Sequence, residues 1–291
     1  GGSVTLEDGD FFVRSVAIRL EDDKYENGVR FKSVIKLDKY EEIAKVKGTS
    51  EVECGLILLP YYKLDGELSI TSQDATIQAT NKLLSDVEYD GVKYKESCIY
   101  VYDIPDGHRT DEIIVRGYIK VDGEVKYYTA TKQISMAEIA YREIGALEDG
   151  SSPLPNGNKD KEYYKDYITE NYLTYKVNYY DGETKLGEAT LKYKESVGKI
   201  ATPTKKGHTF SKYYTDKNLT QEFNASDASL LIKGDIDLYA GFSANSYTLK
   251  INYLPISGDE FSDFVKIEND SLTHYALASQ EKTVTYGQTY S

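Results

Sequence analysis

At 291 residues the chain exceeds what one hydrophobic core normally organises and provides for two domains with a remainder. Its 48 acidic against 35 basic residues give a formal net charge of −13, which excludes a broad phosphate-backbone partner, because nucleic-acid binding needs clustered Lys and Arg. No apolar run approaches the ~18–20 residues that span a bilayer, so no transmembrane segment is expected.

Residues 4–145 read as a sheet-rich domain. Two runs, 11–20 and 29–37, have strand composition. In the second, Val29, Phe31, Ile35 and Leu37 share one parity and Arg30, Lys32 and Lys36 the other, the period of a half-buried strand. Asp38 opens a short helix with Tyr40, Ile43, Ala44 and Val46 on one face. The nearly continuous apolar run from Cys54 to Pro60 predicts a central strand buried on both faces. The pattern over 74–84 predicts a helix. Asp90-Gly91 and Asp122-Gly123 each predict a hairpin. Ser135 and Glu138 have the spacing of a capping box, and Ile139, Ala140 and Ile144 continue it as an apolar stripe to about residue 145.

The Gly, Ser, Pro and Asn residues of 150–158 mark an exposed boundary. Residues 146–173 are accordingly a linker with a short helix over 161–172 that shows no clean stripe. From 174 to 245 the pattern changes. A strand near 175–180 turns at Asp181-Gly182 and resumes over 189–193. Gly207-His208-Thr209-Phe210, Tyr213-Tyr214-Thr215 and the later Leu238-Tyr239-Ala240-Gly241-Phe242 then alternate aromatics as short strands do, and Gly207 and Gly234 mark turns. A helix is expected over 226–231.

These residues resemble the Listeria–Bacteroides repeat, the B repeat of internalin-type surface proteins. Its pattern is Gly-Tyr-Thr-Phe, one residue, Gly-Trp-Tyr-Thr, and later Leu-Tyr-Ala, one residue, Trp. Gly207, Thr209, Phe210, Tyr214, Thr215, Leu238, Tyr239 and Ala240 match it. His208 replaces the Tyr, Lys212 the second Gly, and Tyr213 and Phe242 the two Trp, which stay aromatic. The resemblance implies a β-grasp-like module with a helix near 191–200, a structural role for the signature residues, and a cell-surface or secreted bacterial protein. The first domain is also similar to unassigned surface proteins of gut Firmicutes, on Gly28-Val29-Arg30-Phe31, the 55–60 and 115–119 runs and the cap at Ser135; this implies a location and no activity.

The tail restarts the module. Lys250-Ile251-Asn252-Tyr253 echoes Lys176-Val177-Asn178-Tyr179, and Thr283-Val284-Thr285-Tyr286 echoes Thr190-Leu191-Lys192-Tyr193 with about 19 residues inserted between. Residues 246–291 are therefore expected to be a partial second repeat that packs on its neighbour or is supported by the insertion, cut from a longer chain. The Gly1-Gly2-Ser3 start lacks the regions of a secretion signal and reads as a junction with any signal already removed. The whole is expected to be α+β and β-rich: an N-terminal antiparallel, sandwich-like domain with short helices, a β-grasp-like repeat, and a partial second repeat.

No chemistry stands out. His108, His208 and His274 fall in separate segments with no triad arrangement, and the acidic runs lack the alternation of a calcium loop. Cys54 and Cys98 are the only cysteines; a bridge between them would close a loop of about 45 residues, and free thiols are the preferred reading because Cys54 lies in the apolar strand. No catalytic residue, cofactor or metal ligand is nominated. The 28 tyrosines suit half-exposed strand positions or contact surfaces, while the absence of Trp weakens a sugar-stacking platform. Three functions fit: non-catalytic adhesion or display at the cell surface, with the first domain binding a host or matrix protein or a glycan and the repeats spacing it from a wall anchor outside these residues; a glycan-binding accessory module; or an uncharacterised hydrolase.

Overall fold

The computed structural model describes residues 4–47, 52–81, 84–121, 123–128, 130–155, 158–197, 200–224, 227, 230–251, 265–269, 272–276 and 280–290. The protein is α+β and β-rich, with several antiparallel pairings and three short α-helices among the described residues. It divides into two compact units, Gly1–Lys176 with Thr190–Ser196 and Leu231–Asp235, and Val177–Ala189 with Val197–Leu230 and Ile236–Ser291.

In the first unit β1 (Phe11–Arg19) pairs with β2 (Gly28–Lys36), and α1 (Leu37–Lys47) leads to β3 (Val52–Pro60). There follow β4 (Thr76–Ala79), the hairpin of β5 (Ser85–Tyr89) and β6 (Val92–Tyr102), then β7 (Glu112–Val121), β8 (Glu124–Tyr127) and β9 (Lys132–Ser135). The helices α2 (Met136–Asp149) and α3 (Lys161–Tyr172) close it. Two sheets result, β1-β2-β6-β5 and β4-β3-β7-β8, with β9 also on β7. Alternate residues of both sheets meet in one apolar core: Val29, Phe31 and Ile35 from the first, Cys54, Leu56 and Val115 from the second. The other parity of β3, Ile57 and Leu59, enters a second cluster with Leu68, Ile114 and Tyr118. β3 is thus buried on both faces, as its unbroken apolar run requires.

Both Asp-Gly hairpins form, with Tyr89 opposite Val92 and Val121 opposite Glu124. The Ser135 hydroxyl accepts from the Glu138 amide at 3.0 Å, and Gly150, at φ 78°, ends α2 in the left-handed conformation. α3 starts on Asp160, whose carboxylate accepts from the Tyr163 amide, and it does have a buried stripe, Tyr164, Ile168 and Tyr172 at four-residue spacing. Tyr163 and Tyr167 on neighbouring positions conceal that stripe in the sequence. Where a helix is expected over 74–84, residues 76–79 instead form the strand β4, and 82–83 lie outside the described residues. The edge of β3 leaves backbone groups that must be paired, and β4 meets them, with the Thr80 amide and the Asn81 side chain extending the seam to Cys54.

The sheet that contains the repeat has the order β11-β10-β14-β12-β13. Its strands are β10 (Thr174–Asp181), β11 (Thr184–Lys192), β12 (His208–Tyr214), β13 (Glu222–Phe223) and β14 (Ile236–Ala244), and the central pair β10 and β14 is parallel. The described residues of 191–200 and 226–231 form no α-helix. β11 runs to Lys192, Lys194 takes φ 68°, and the extended backbone beyond finds its partners in a bridge between Ser196 and Leu231. After β14 come β15 (Ser246–Ile251), β16 (Val265–Asn269), β17 (Leu272–Ala276) and β18 (Gln280–Thr285). β15 pairs with β18, the hairpin of β16 and β17 lies between them in the chain, and Asn252 and Tyr253 of the internal echo lie outside the described residues.

Candidate binding face

The repeat-signature residues converge on two adjacent strands. Gly207, at φ 71°, turns the chain into β12, where Phe210 pairs with Phe242 of β14, Tyr213 with Ala240 and Tyr214 with Tyr239. Tyr213, Leu238 and Ala240 are buried, and the Phe210 and Phe242 rings meet edge to face at 6.0 Å. Thr209 is exposed and its hydroxyl donates to Asn245 at 2.6 Å. Lys212, standing where the family has Gly, falls in the bulge between Phe210 and Tyr213 and pairs with Glu222 at 2.6 Å. The arrangement packs a sheet and concentrates no reactive groups.

A cleft of about 430 Å³ opens in the first unit among Glu112, Glu138, Arg142, Tyr193, Lys194 and Lys233. Burial raises the Glu138 carboxyl, but hydrogen bonds from Lys194 and Tyr193, with the charges of Lys194 and Arg142, outweigh it and leave the group below the usual carboxylate range. Arg109, 6% exposed, is structural: its guanidinium donates to the carbonyls of Asn171 and Thr174 at the end of α3 and lies over the Tyr175 ring.

The three histidines lie on different elements. His108 sits parallel to Tyr62 with Nδ1 2.6 Å from Asp111, His208 meets Tyr286 edge-on, and His274 is on β17. Cys54 and Cys98 are free thiols, the first in the core and the second on the outer side of β6 beside Lys32. Burial, with the Glu53 charge, pushes the Cys54 thiol up to about 12. A disulfide-exchange reagent at pH 8 is expected to titrate one thiol per native chain, lost in Cys98→Ser, and the second only in denaturant; two fast native thiols would contradict this packing.

The concentration of functional groups lies on the outer side of β1-β2-β6-β5, the side away from the core. The register puts Arg30, Lys32 and Lys36 of β2 beside Tyr100, Cys98 and Tyr94 of β6. A bulge between Val13 and Ser15 releases Arg14, which is exposed and places its guanidinium 3.3 Å from the centre of the Tyr89 ring. The Tyr89 hydroxyl donates to Glu96, which also pairs with Lys32 at 3.7 Å. At the other end Tyr25, Tyr100 and Tyr102 stack with centres 5.3–6.0 Å apart, and Arg19 lies over Tyr25 and Tyr100. Hydrogen bonds from Arg19 and from the amides of Lys24 and Tyr25 hold the exposed Asp22 carboxyl down at about 2. The basic parity of β2 is visible in the sequence; its meeting with Arg14 and Tyr89 is not, because β5 reaches it only through the pairing order.

Residues 175–241 match the family described as the Listeria-Bacteroides repeat domain. A protein of Evansella cellulosilytica that carries the name of a membrane protein is 24% identical over 151 residues, covering 43% of this chain and 22% of that protein. Another from the same organism, named as a Gly-rich membrane protein, is 24% identical over 153 residues, covering 43% of this chain and 17% of its own length. The matched stretch thus spans about a fifth of these relatives. No helix among the described residues is long and apolar enough to cross a membrane.

Proposed function

We propose that this chain belongs to a modular, non-catalytic bacterial protein of the cell surface or secreted fraction, acting in adhesion or display, with the first unit binding and the repeats holding it away from the wall. The observation that carries this is the repeat at 175–241 followed by a further hairpin. That hairpin is seated on the repeat: the Tyr286 amide donates to Asn245, whose own amide donates to Gly207. Serial units that each contact the next make a spacer. The strand order with its central parallel pair agrees with a β-grasp-like module, and the relatives' names agree with a location at the envelope. The partner is a host or matrix protein or a glycan.

Brief protease treatment of intact cells making the full-length protein is expected to destroy an epitope in the first unit while a cytosolic marker survives. An epitope lost only after lysis would overturn the proposal.

A further inference from the structure

Five basic side chains, Arg14, Arg19, Arg30, Lys32 and Lys36, share the outer face of β1-β2-β6-β5 with one carboxylate of its strands, Glu96. In a chain of net charge −13 this is a local reversal of sign. It is also incompletely neutralised. Arg19 has Asp22, Lys32 has Glu96 and Lys36 has Asp10, whereas Arg14 and Arg30 have no carboxylate at ion-pairing distance among the described residues. The Nε of Arg30 and the hydroxyl of Tyr102 are buried and have no hydrogen-bond partner, so Arg30 can meet a ligand only through its terminal nitrogens.

We propose that this face binds an anionic polysaccharide bearing about one charged group per sugar, with Arg14 and Arg30 holding the anionic groups and the ring edges of Tyr25 and Tyr100 meeting the sugar. The proposal rests on the first unit being the binding part of the protein. The face runs for about 27 Å from the Gly28–Tyr102 pair to the Lys36–Tyr94 pair at ~3.4 Å per residue, which suits an extended chain lying along the strands. Two observations favour a glycan over a nucleic acid. The faces of Tyr25, Tyr100 and Tyr102 are turned on one another, and a guanidinium covers Tyr89, so the rings offer edges in place of the open platforms on which bases stack. Unpaired cations are also few, Arg14 and Arg30, whereas a nucleic-acid strand is held by clustered Lys and Arg.

The test uses the whole chain in binding titrations against polygalacturonate, neutral dextran and single-stranded oligothymidylate. Polygalacturonate is expected to bind, dextran not to bind, and raising salt to about 0.5 M to weaken the interaction. Arg14→Ala should weaken it about tenfold, the scale of one hydrogen-bonded contact to a charged group, and Arg30→Gln at least as much, while Lys165→Ala on α3 leaves it unchanged. Arg14 is exposed, so its variant keeps the test decisive if Arg30→Gln does not fold, and circular dichroism checks both. Absence of polygalacturonate binding, equal binding of dextran, tighter binding of the oligonucleotide, or an unaltered Arg14→Ala would each overturn the proposal. Any of these with protease-accessible first units on intact cells would leave surface location standing; polygalacturonate binding by a chain that is shielded on cells would do the reverse.

Discussion

Gly117→Ala is expected to destabilise the first unit by about 3 kcal/mol, the upper end of what overpacking a core costs. Gly117 lies on β7 opposite Leu56, and a methyl group added there would sit 2.0–2.5 Å from three ring atoms of Tyr128. The ring has no retreat. Tyr128 is 2% exposed, its hydroxyl is bonded to Ser33 across the core, its amide donates to the Gly117 carbonyl at 2.9 Å, and Phe11 stands edge-on at 3.9 Å. Relief requires the two sheets to separate or the Tyr128–Ser33 bond to break, and the broken bond would leave buried hydroxyls unpaired. Gly145→Ala is the matching control. It lies within α2 with nothing near its added methyl, so removing unfolded-state freedom should stabilise by about 0.5–1 kcal/mol. Urea unfolding should show the two midpoints moving in opposite directions at similar slope. Equal shifts would mean that the packing around Tyr128 does not govern the outcome.

The same residues show how far the sequence can be read. Local rules carried the elements they govern: period-two burial in β2, two-sided burial in β3, the Asp-Gly turns, and the Ser135 cap of α2. What escaped is set by distant partners. The 76–79 segment has no strong preference of its own and becomes a strand because the edge of β3 needs one. The stretches expected as helices after β11 and before β14 bridge one another at Ser196 and Leu231 instead. On the outer face, the polar parity of β2 is written in its own residues, whereas Arg14 reaches Tyr89 only through a bulge and a strand order in which β6 lies between β2 and β5. Sequence spacing contains no term for that juxtaposition. Glu138 is a further case: capping geometry predicts a carboxylate turned back to Ser135, yet Tyr193, Lys194 and Arg142 engage it.

Gly207→Ala should affect the second unit in two separable ways. At φ 71° an alanine pays about 1–2 kcal/mol of backbone strain, and its methyl group would stand 2.1–2.4 Å from ring atoms of Tyr286. Unlike Tyr128, the Tyr286 ring is 39% exposed and can swing outward, so the collision displaces the seat of the β15–β18 hairpin before it disrupts the repeat. Amide exchange should therefore quicken at Tyr286 and along β15 and β18 more than in β12 and β14. Tyr286→Ala removes the ring but keeps the backbone requirement, so in the double variant the alanine at 207 should cost only the strain, and the coupling in a double-mutant cycle measures the steric part. Zero coupling would show that the ring contact contributes nothing to seating the hairpin. A positive coupling would give the signature glycine a second role beside its turn: a side chain there blocks the next hairpin's tyrosine, and with it the end-to-end contact on which a row of repeats depends.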